Sequence, residues 1–160
     1  MTAKKRQIIA FESDARVAEF LINNWGADFI VSDGKKLWGK DLPGFMMLED
    51  GRIIGLLTYH IDNNECEIVS LDALLPYQGI GTKLVAEMIN KAVEKKVSRL
   101  WLMTTNDNTD SMRFYQKRGF VMAAIHTDAI EKSRELKQSI PKLGNFDIPI
   151  RDEIEFEYPL

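Results

Sequence analysis

The sequence predicts an α/β (α+β) fold, in which a meander of antiparallel strands gives way to alternating strands and helices. Three observations carry this. The turns Glu49-Asp-Gly51 and Asp62-Asn-Asn64 separate three apolar, β-branched runs, and Asp-Gly between such runs is a strong hairpin signal. Past Gly79 the period changes. Ile80, Leu84, Val85, Met88, Ile89, Ala92 and Val93 recur at helical spacing, as one apolar stripe of a helix does. After Glu65 the order is strand–helix–strand–helix–strand, an α/β pattern.

Taken in order, Ile8 to Phe11 reads as a short first strand, and Ser13 or Asp14 offers an N-cap oxygen to the unpaired N–H groups of a helix start. Val17, Phe20, Leu21 and Trp25 then follow helical spacing. Phe29-Ile-Val with Ser-Asp-Gly reads as a strand and turn, and Lys35 to Pro43 as irregular. Gly44–Leu48, Arg52–Ile61 and Glu65–Leu75 form the meander, and a helix runs from Ile80 to about Lys96. Arg99–Thr104 is a short buried strand. Asp110–Lys117 is a helix that Gly119 can cap, and Phe120–Ile125 continues as a strand. No element is assigned to Ser133–Gly144, and Glu153–Tyr158 is the last strand. Trp25 and Trp101 fall in periodic segments and are expected in the core. Trp38 is expected to pack the irregular segment onto it, with lining a substrate site as the alternative.

A chain of 160 residues with 45% hydrophobic and 28% charged content suits one soluble domain, residues 1–160. No apolar run approaches the ~20 residues that span a membrane. The basic start Met1-Thr-Ala-Lys-Lys-Arg lacks the apolar stretch of a secretory signal. Cys66 is the only cysteine, so no internal disulfide can form, which fits a cytoplasmic setting. A net charge of −3 argues against broad nucleic-acid binding. His60 and His126 lack metal-ligand spacing, so no metal site is expected.

Two segments carry chemistry. The strand ending near Leu75 leads into Gly79-Ile-Gly81 and a helix. Glycines allow a sharp turn and close backbone approach, and the helix start offers free N–H groups and a positive dipole end. Tyr77 to Lys83 is therefore an anion site suited to a pyrophosphate, or simply a tight turn. It is neither a phosphate-binding P-loop nor a dinucleotide fingerprint, since Leu84 stands where the last glycine of the latter belongs. The second segment is Asn108-x-x-Ser111-x-x-Phe114-Tyr115-x-x-x-Gly119-Phe120.

Together, in this order, the segments resemble the two signature motifs of the GNAT (GCN5-related N-acetyltransferase) superfamily. These are Gln/Arg-x-x-Gly-x-Gly/Ala and Asn-x-x-Ala-x-x-Leu/Phe-Tyr-x-x-x-Gly-Phe. Pro76 departs from the first by standing at the usual Gln or Arg position, with Gln78 two residues later. Glu67-Ile-Val-Ser-Leu-Asp72, Thr104-Thr-Asn-Asp-Asn108, Phe114-Tyr-Gln-Lys-Arg-Gly-Phe120 and Ile148-Pro-Ile-Arg-Asp-Glu-Ile154 are similar to a group of uncharacterised bacterial members.

The resemblance implies a mixed, mostly antiparallel sheet flanked by helices and splayed at the CoA-binding strand. It implies acetyl-CoA as cosubstrate and direct transfer to a small-molecule or peptide amine. Leu71 and Ala73 would bond the pantetheine arm, with the Leu71 N–H also polarising the thioester carbonyl. Gln78, Gly79, Ile80, Gly81 and Thr82 would hold the pyrophosphate, and Asn108 would help to position the arm. Tyr115 would protonate the leaving thiolate, as a phenol of pKa ~10 stays protonated at neutral pH. Glu67 would take the amine proton, with Asp72, Glu65 or water as alternatives. Strand alternation puts Glu67, Val69 and Leu71 on one face and Asp72 on the other. The acceptor pocket would come from Trp25–Gly44 and the tail after Thr127, and a homodimer through C-terminal strands is compatible. Two other readings stay open: a catalytically inactive CoA-binding sensor or interaction module, and a nucleotide-binding α/β protein resting on the glycine loop alone.

Overall fold

The structure, a computed structural model, describes residues 3–160; Met1 and Thr2, the start of the basic segment, lie outside the described residues. The elements are β1 (Arg6–Phe11), α1 (Ala15–Trp25), β2 (Phe29–Ser32), β3 (Lys35–Trp38), β4 (Gly44–Glu49), β5 (Arg52–Asp62) and β6 (Glu65–Ala73). They continue with α2 (Ile80–Glu94), β7 (Arg99–Thr105), α3 (Thr109–Lys117), β8 (Val121–His126), α4 (Ala129–Leu136) and β9 (Glu153–Tyr158).

Local chemistry sets the early elements. Asp14 caps α1 by accepting from the Arg16 N–H at 2.9 Å, and Gly26 ends the helix in a left-handed conformation. Asp33-Gly34, Asp50-Gly51 and Asn63-Asn64 have positive φ at both positions, as tight hairpins with right-twisted strands require. They close β2–β3, β4–β5 and β5–β6. The first hairpin corrects the irregular segment expected at Lys35 to Pro43. Lys35 and Lys36 break the apolar alternation, yet residues 35–38 pair with β2, and Trp38 stacks on Phe29 at 5.1 Å.

Seven strands form one mixed sheet in the order β1-β4-β5-β6-β7-β9-β8, antiparallel throughout except between β6 and β7. The last strand in sequence thus enters between β7 and β8. On one face α2 buries Ile80, Leu84, Val85 and Met88 in the larger core, together with Tyr115 of α3 and Phe120. On the other, Val17, Phe20 and Leu21 of α1 pack with Ile30, Met46 and Leu56. Part of the tail left unassigned is helical: α4 reaches Leu136 and buries Ile130 and Ser133. Only Ile130 and Ser133 of its eight residues are buried, so its apolar stripe is too short to stand out in the sequence. Among the described residues no helix is long and apolar enough to cross a membrane.

One irregularity changes which side chains share a face. Thr58 pairs with Ser70 but Tyr59 with Ile68, so Val69 is an extra residue in β6. Such a bulge shifts the alternation by one and sharpens the twist. Cys66 and Ile68 face the larger core, Val69 the smaller, and Leu71 the larger again. Glu67 accepts from Ser32 of β2, and Asp72 from Trp25 Nε1 of α1 at 2.9 Å. The expectation that Leu71 shares a face with Glu67, and Asp72 does not, is therefore overturned. Glu67, Val69 and Asp72 turn toward α1 and β2, and Leu71 toward the helices α2 and α3.

Candidate active site

The sheet opens at one place. Strands β6 and β7 pair only from Glu65–Arg99 to Ile68–Leu102. Beyond Ile68 the strands part, because β7 stays bound along its other edge to β9 as far as Thr105–Glu153. The β7-facing backbone of Val69–Ala73, which includes Leu71 and Ala73, is left without a partner strand. Strand N–H and C=O groups left in this way are sites for a ligand's hydrogen bonds.

The chain leaves β6 through Pro76 and Tyr77 and enters α2 at Gly79. Gly79 is left-handed (φ +74°), with open space where a Cβ would stand. A side chain there would be strained by the left-handed backbone. Gly81 serves another purpose: a Cβ would lie 3.1 Å from the Phe114 ring, so its smallness lets α3 pack against α2. Two guanidinium groups border the loop. Arg118 lies 3.6 Å over the Phe114 ring and donates to Thr82 Oγ1 through Nε at 3.0 Å, and Arg6 donates to Gln78 Oε1 at 2.5 Å. The sequence reading missed both. Phe114 of α3 and Arg118 at its C-cap stand four apart, the spacing at which helix side chains meet, so Arg118 was detectable. Arg6 arrives from β1, far away in sequence.

Asn108 caps α3, its Oδ1 accepting from the Ser111 N–H at 3.2 Å. Tyr115, two turns on, is buried between Phe114 and Phe120. No described residue hydrogen-bonds its hydroxyl. The only enclosed side-chain polar atom without a partner among the described residues is Asp107 Oδ1, so the Tyr115 oxygen opens onto accessible space. Burial, reinforced by the Asp72 charge, raises its pKa, so the phenol keeps its proton.

On the α1 side a cavity of about 310 Å³ reaches the seam at Val69, Met103 and Asn108. Its walls come from Trp25 and Ile30–Ser32 on one side and α4 and the tail to Glu153 on the other. Trp25, expected in the core, is 41% exposed and lines this cavity. Glu67 turns instead to a second cavity of about 190 Å³, where Trp101, also expected in the core, forms part of the wall. Ser32 lines both. Burial pushes the Glu67 carboxyl up to about 7, against the Ser32 bond, which favours the ionised form. Burial also raises Asp72. Cys66 is buried, and its thiol is pushed up to about 12.

The model of the acetyltransferase (GNAT) family matches residues 13–120. The chain belongs to this family. It is 41% identical over 141 residues to the uncharacterised protein YdhI of Bacillus subtilis (strain 168), covering 88% of each chain. Two solved structures share its fold. The IAA acetyltransferase from Bacillus cereus ATCC 14579 superposes with a TM-score of 0.76 at 21% identity, over 98% of this chain and 100% of the other. A GNAT family acetyltransferase from Elizabethkingia anophelis, with acetyl-CoA bound, superposes at 0.71 and 19% identity, over 97% and 98%.

Within this GNAT domain most of the candidate residues gather at one place. Leu71 and Ala73 lie on the free edge of β6, Gln78 to Thr82 at the start of α2, and Asn108 and Tyr115 on α3 packed against it. Glu67 lies apart, touching the larger cavity only through Ser32. Ser32 had no signal in the sequence beyond its place in a turn.

Proposed function

We propose that this chain moves an acetyl group from acetyl-CoA to a primary amine by direct attack in a ternary complex. The parting of β6 from β7, with the Gly79 turn at its mouth and a cavity along it, is the observation that supports this best. The residues present fit the cosubstrate. The open space at Gly79, the N–H groups of Gly79–Thr82 and the Arg118 guanidinium suit a pyrophosphate. Bound there, acetyl-CoA would supply the acetyl group as an activated thioester.

Pro76 lacks an N–H and the usual Gln or Arg side chain. Arg118 and Arg6 bring positive charge to the same loop from elsewhere in the fold. The Leu71 N–H donates to the acyl oxygen as negative charge develops there. As the amine nitrogen bonds to the acyl carbon and the carbon–sulfur bond breaks, Ser32 accepts the amine proton and passes its own to Glu67. Tyr115 gives its proton to the departing thiolate and regains one from solvent.

A cytoplasmic setting agrees with the lone buried thiol. A homodimer through the C-terminal strands agrees with the exposed Val121, Met122 and Ile125 on edge strand β8, and size-exclusion chromatography at the monomer mass would reject it. The cofactor reading is tested by thermal melting with acetyl-CoA, CoA, ATP and NADH in parallel. A ligand at ~100 times its dissociation constant adds about 2.7 kcal/mol, a shift of a few degrees at this size. Stabilisation by acetyl-CoA and CoA alone, followed by thiol release with an amine, is the expected result. No shift with either would withdraw the proposal, and binding without turnover across amines would favour a sensor.

A further inference from the structure

The larger cavity carries more than acetyl transfer needs. Its wall is mostly apolar, with Trp25, Ile30, Ile130, Ile140 and Ile150 prominent, and two charged side chains face it, Glu153 and Lys137. Their situations differ. Glu153 is buried and accepts from Ser133 Oγ at 3.2 Å. Lys137 is half-buried at the end of α4, and its ammonium donates to the Trp25 carbonyl at 3.3 Å and lies 5.5 Å from the centre of the Phe29 ring. Among the described residues no carboxylate stands within ion-pair distance of it.

An ammonium drawn partly out of water toward a carbonyl and an aromatic face has lost hydration without gaining a counter-charge. Burial accordingly lowers the pKa of Lys137. Ser133 and Lys137 stand four apart, hence on one side of α4. Glu153, tied to Ser133, and Lys137, tied to the Trp25 carbonyl, are therefore separate charged points on the cavity wall. A cavity of about 310 Å³ is at the small end of the range for small-molecule sites.

We propose that the acceptor is a small amine bearing a carboxylate, of free amino-acid size, whose carboxylate is bound by Lys137 while its apolar body lies against Trp25 and the isoleucines. The amine then points along the cavity toward Val69 and Asn108, where the seam opens, and Ser32 lies on the same wall. A polyamine would set a cation against Lys137. The proposal rests on the acetyl-transfer reading of the same seam.

The test compares thiol release from acetyl-CoA for matched pairs: phenylalanine, tryptophan and leucine against phenethylamine, tryptamine and isopentylamine. At least one amino acid is expected to be used with a higher kcat/KM than its decarboxylated partner. K137M should raise KM for that amino acid by about tenfold or more, the effect of losing a charge-assisted contact. KM for the amine should stay within about twofold, and K137R should restore most of the loss. Melting of each variant with acetyl-CoA checks that the fold and the cosubstrate site are intact. Turnover of amines with no preference for the carboxylate, or an equal effect of K137M on both members of a pair, overturns this proposal and leaves acetyl transfer standing. No turnover of either set, with acetyl-CoA still stabilising the protein, overturns both.

Discussion

The two sides of the β6–β7 seam are built in opposite ways. The side proposed for the cosubstrate is made of consecutive chain: the free edge of β6, the turn at Gly79, the start of α2 and, one strand later, α3 packed on Gly81 through Phe114. The side proposed for the acceptor is assembled from segments far apart: Trp25 to Ser32, Val69, Met103 to Asn108, and Ile130 to Glu153. Contiguous construction gives short, readable motifs with set spacing. Dispersed construction allows the acceptor pocket to change without disturbing the cosubstrate site.

A single loop joins the two. Asn108 caps α3 on one side of it. Asn106 takes hold of the tail, donating to the Pro149 carbonyl at 2.9 Å and accepting from the N–H groups of Arg151 and Asp152 at 2.9 and 3.0 Å. Asp107 accepts from the Asn145 N–H at 2.9 Å. The tail in turn holds α4, whose Arg134 donates to the Ile150 carbonyl at 2.8 Å. The stretches Thr104–Asn108 and Ile148–Ile154, far apart in sequence, are thus one latch, and Thr104, Thr105, Asn108, Ile150 and Glu153 from it line the larger cavity.

The comparison predicts which changes stay on one side. Tyr115→Phe should act on chemistry alone, lowering kcat by about 10²-fold or more while the acetyl-CoA dissociation constant stays within about twofold. Steady-state kinetics beside a binding isotherm measures both, and unchanged kcat would remove Tyr115 from the mechanism. Glu67→Gln should lower kcat/KM by about 10²-fold near neutral pH. In the wild type kcat/KM should rise with pH through about 7, where Glu67 ionises, and the variant should lose that ionisation.

Glu67 also predicts a pH effect on stability. Its folded pKa is raised from 4.5 to about 7. Between these values the native state binds a proton that the unfolded chain has released, so the contribution to stability is full below 4.5 and is lost as pH rises through about 7. Denaturant midpoints measured from pH 4.5 to 8 should fall less steeply in Glu67→Gln.

Asn106→Ala should loosen the latch, costing about 1–3 kcal/mol for the backbone groups it leaves unpaired. It should raise acceptor KM by about tenfold at unchanged acetyl-CoA affinity. A matching loss of acetyl-CoA affinity would mean that the two sides are not separable. The smallest effect is expected from Arg118→Ala. Acetyl-CoA binding should weaken by about three- to tenfold, with greater sensitivity to salt in the wild type than in the variant and little change in melting temperature.

Legibility followed the same division. The hairpins at Asp50-Gly51 and Asn63-Asn64, the stripe of α2, the Asn108 cap and the last strand at Glu153–Tyr158 could all be read, because each depends on a neighbour within a turn or a two-residue loop. The Lys35–Trp38 strand and α4 could not. Both are short and rich in polar residues, and β2 and the tail hold them in place from outside. The sharper failure was at Val69, where one extra residue turned Leu71 and Asp72 to faces opposite to those alternation assigns.

By itself the sequence determined the family, the glycine turn into a helix, the capped helix that carries Tyr115 and the meander that leads to them, since turn chemistry and helical period are local properties of the chain. Only the tertiary structure decided that β9 would enter between β7 and β8, that Ser32 would stand between Glu67 and the larger cavity, and that Lys137 would face that cavity without a counter-charge. Strand order, burial and the meeting of charges depend on which distant segments pack together, and no window of the sequence contains both partners.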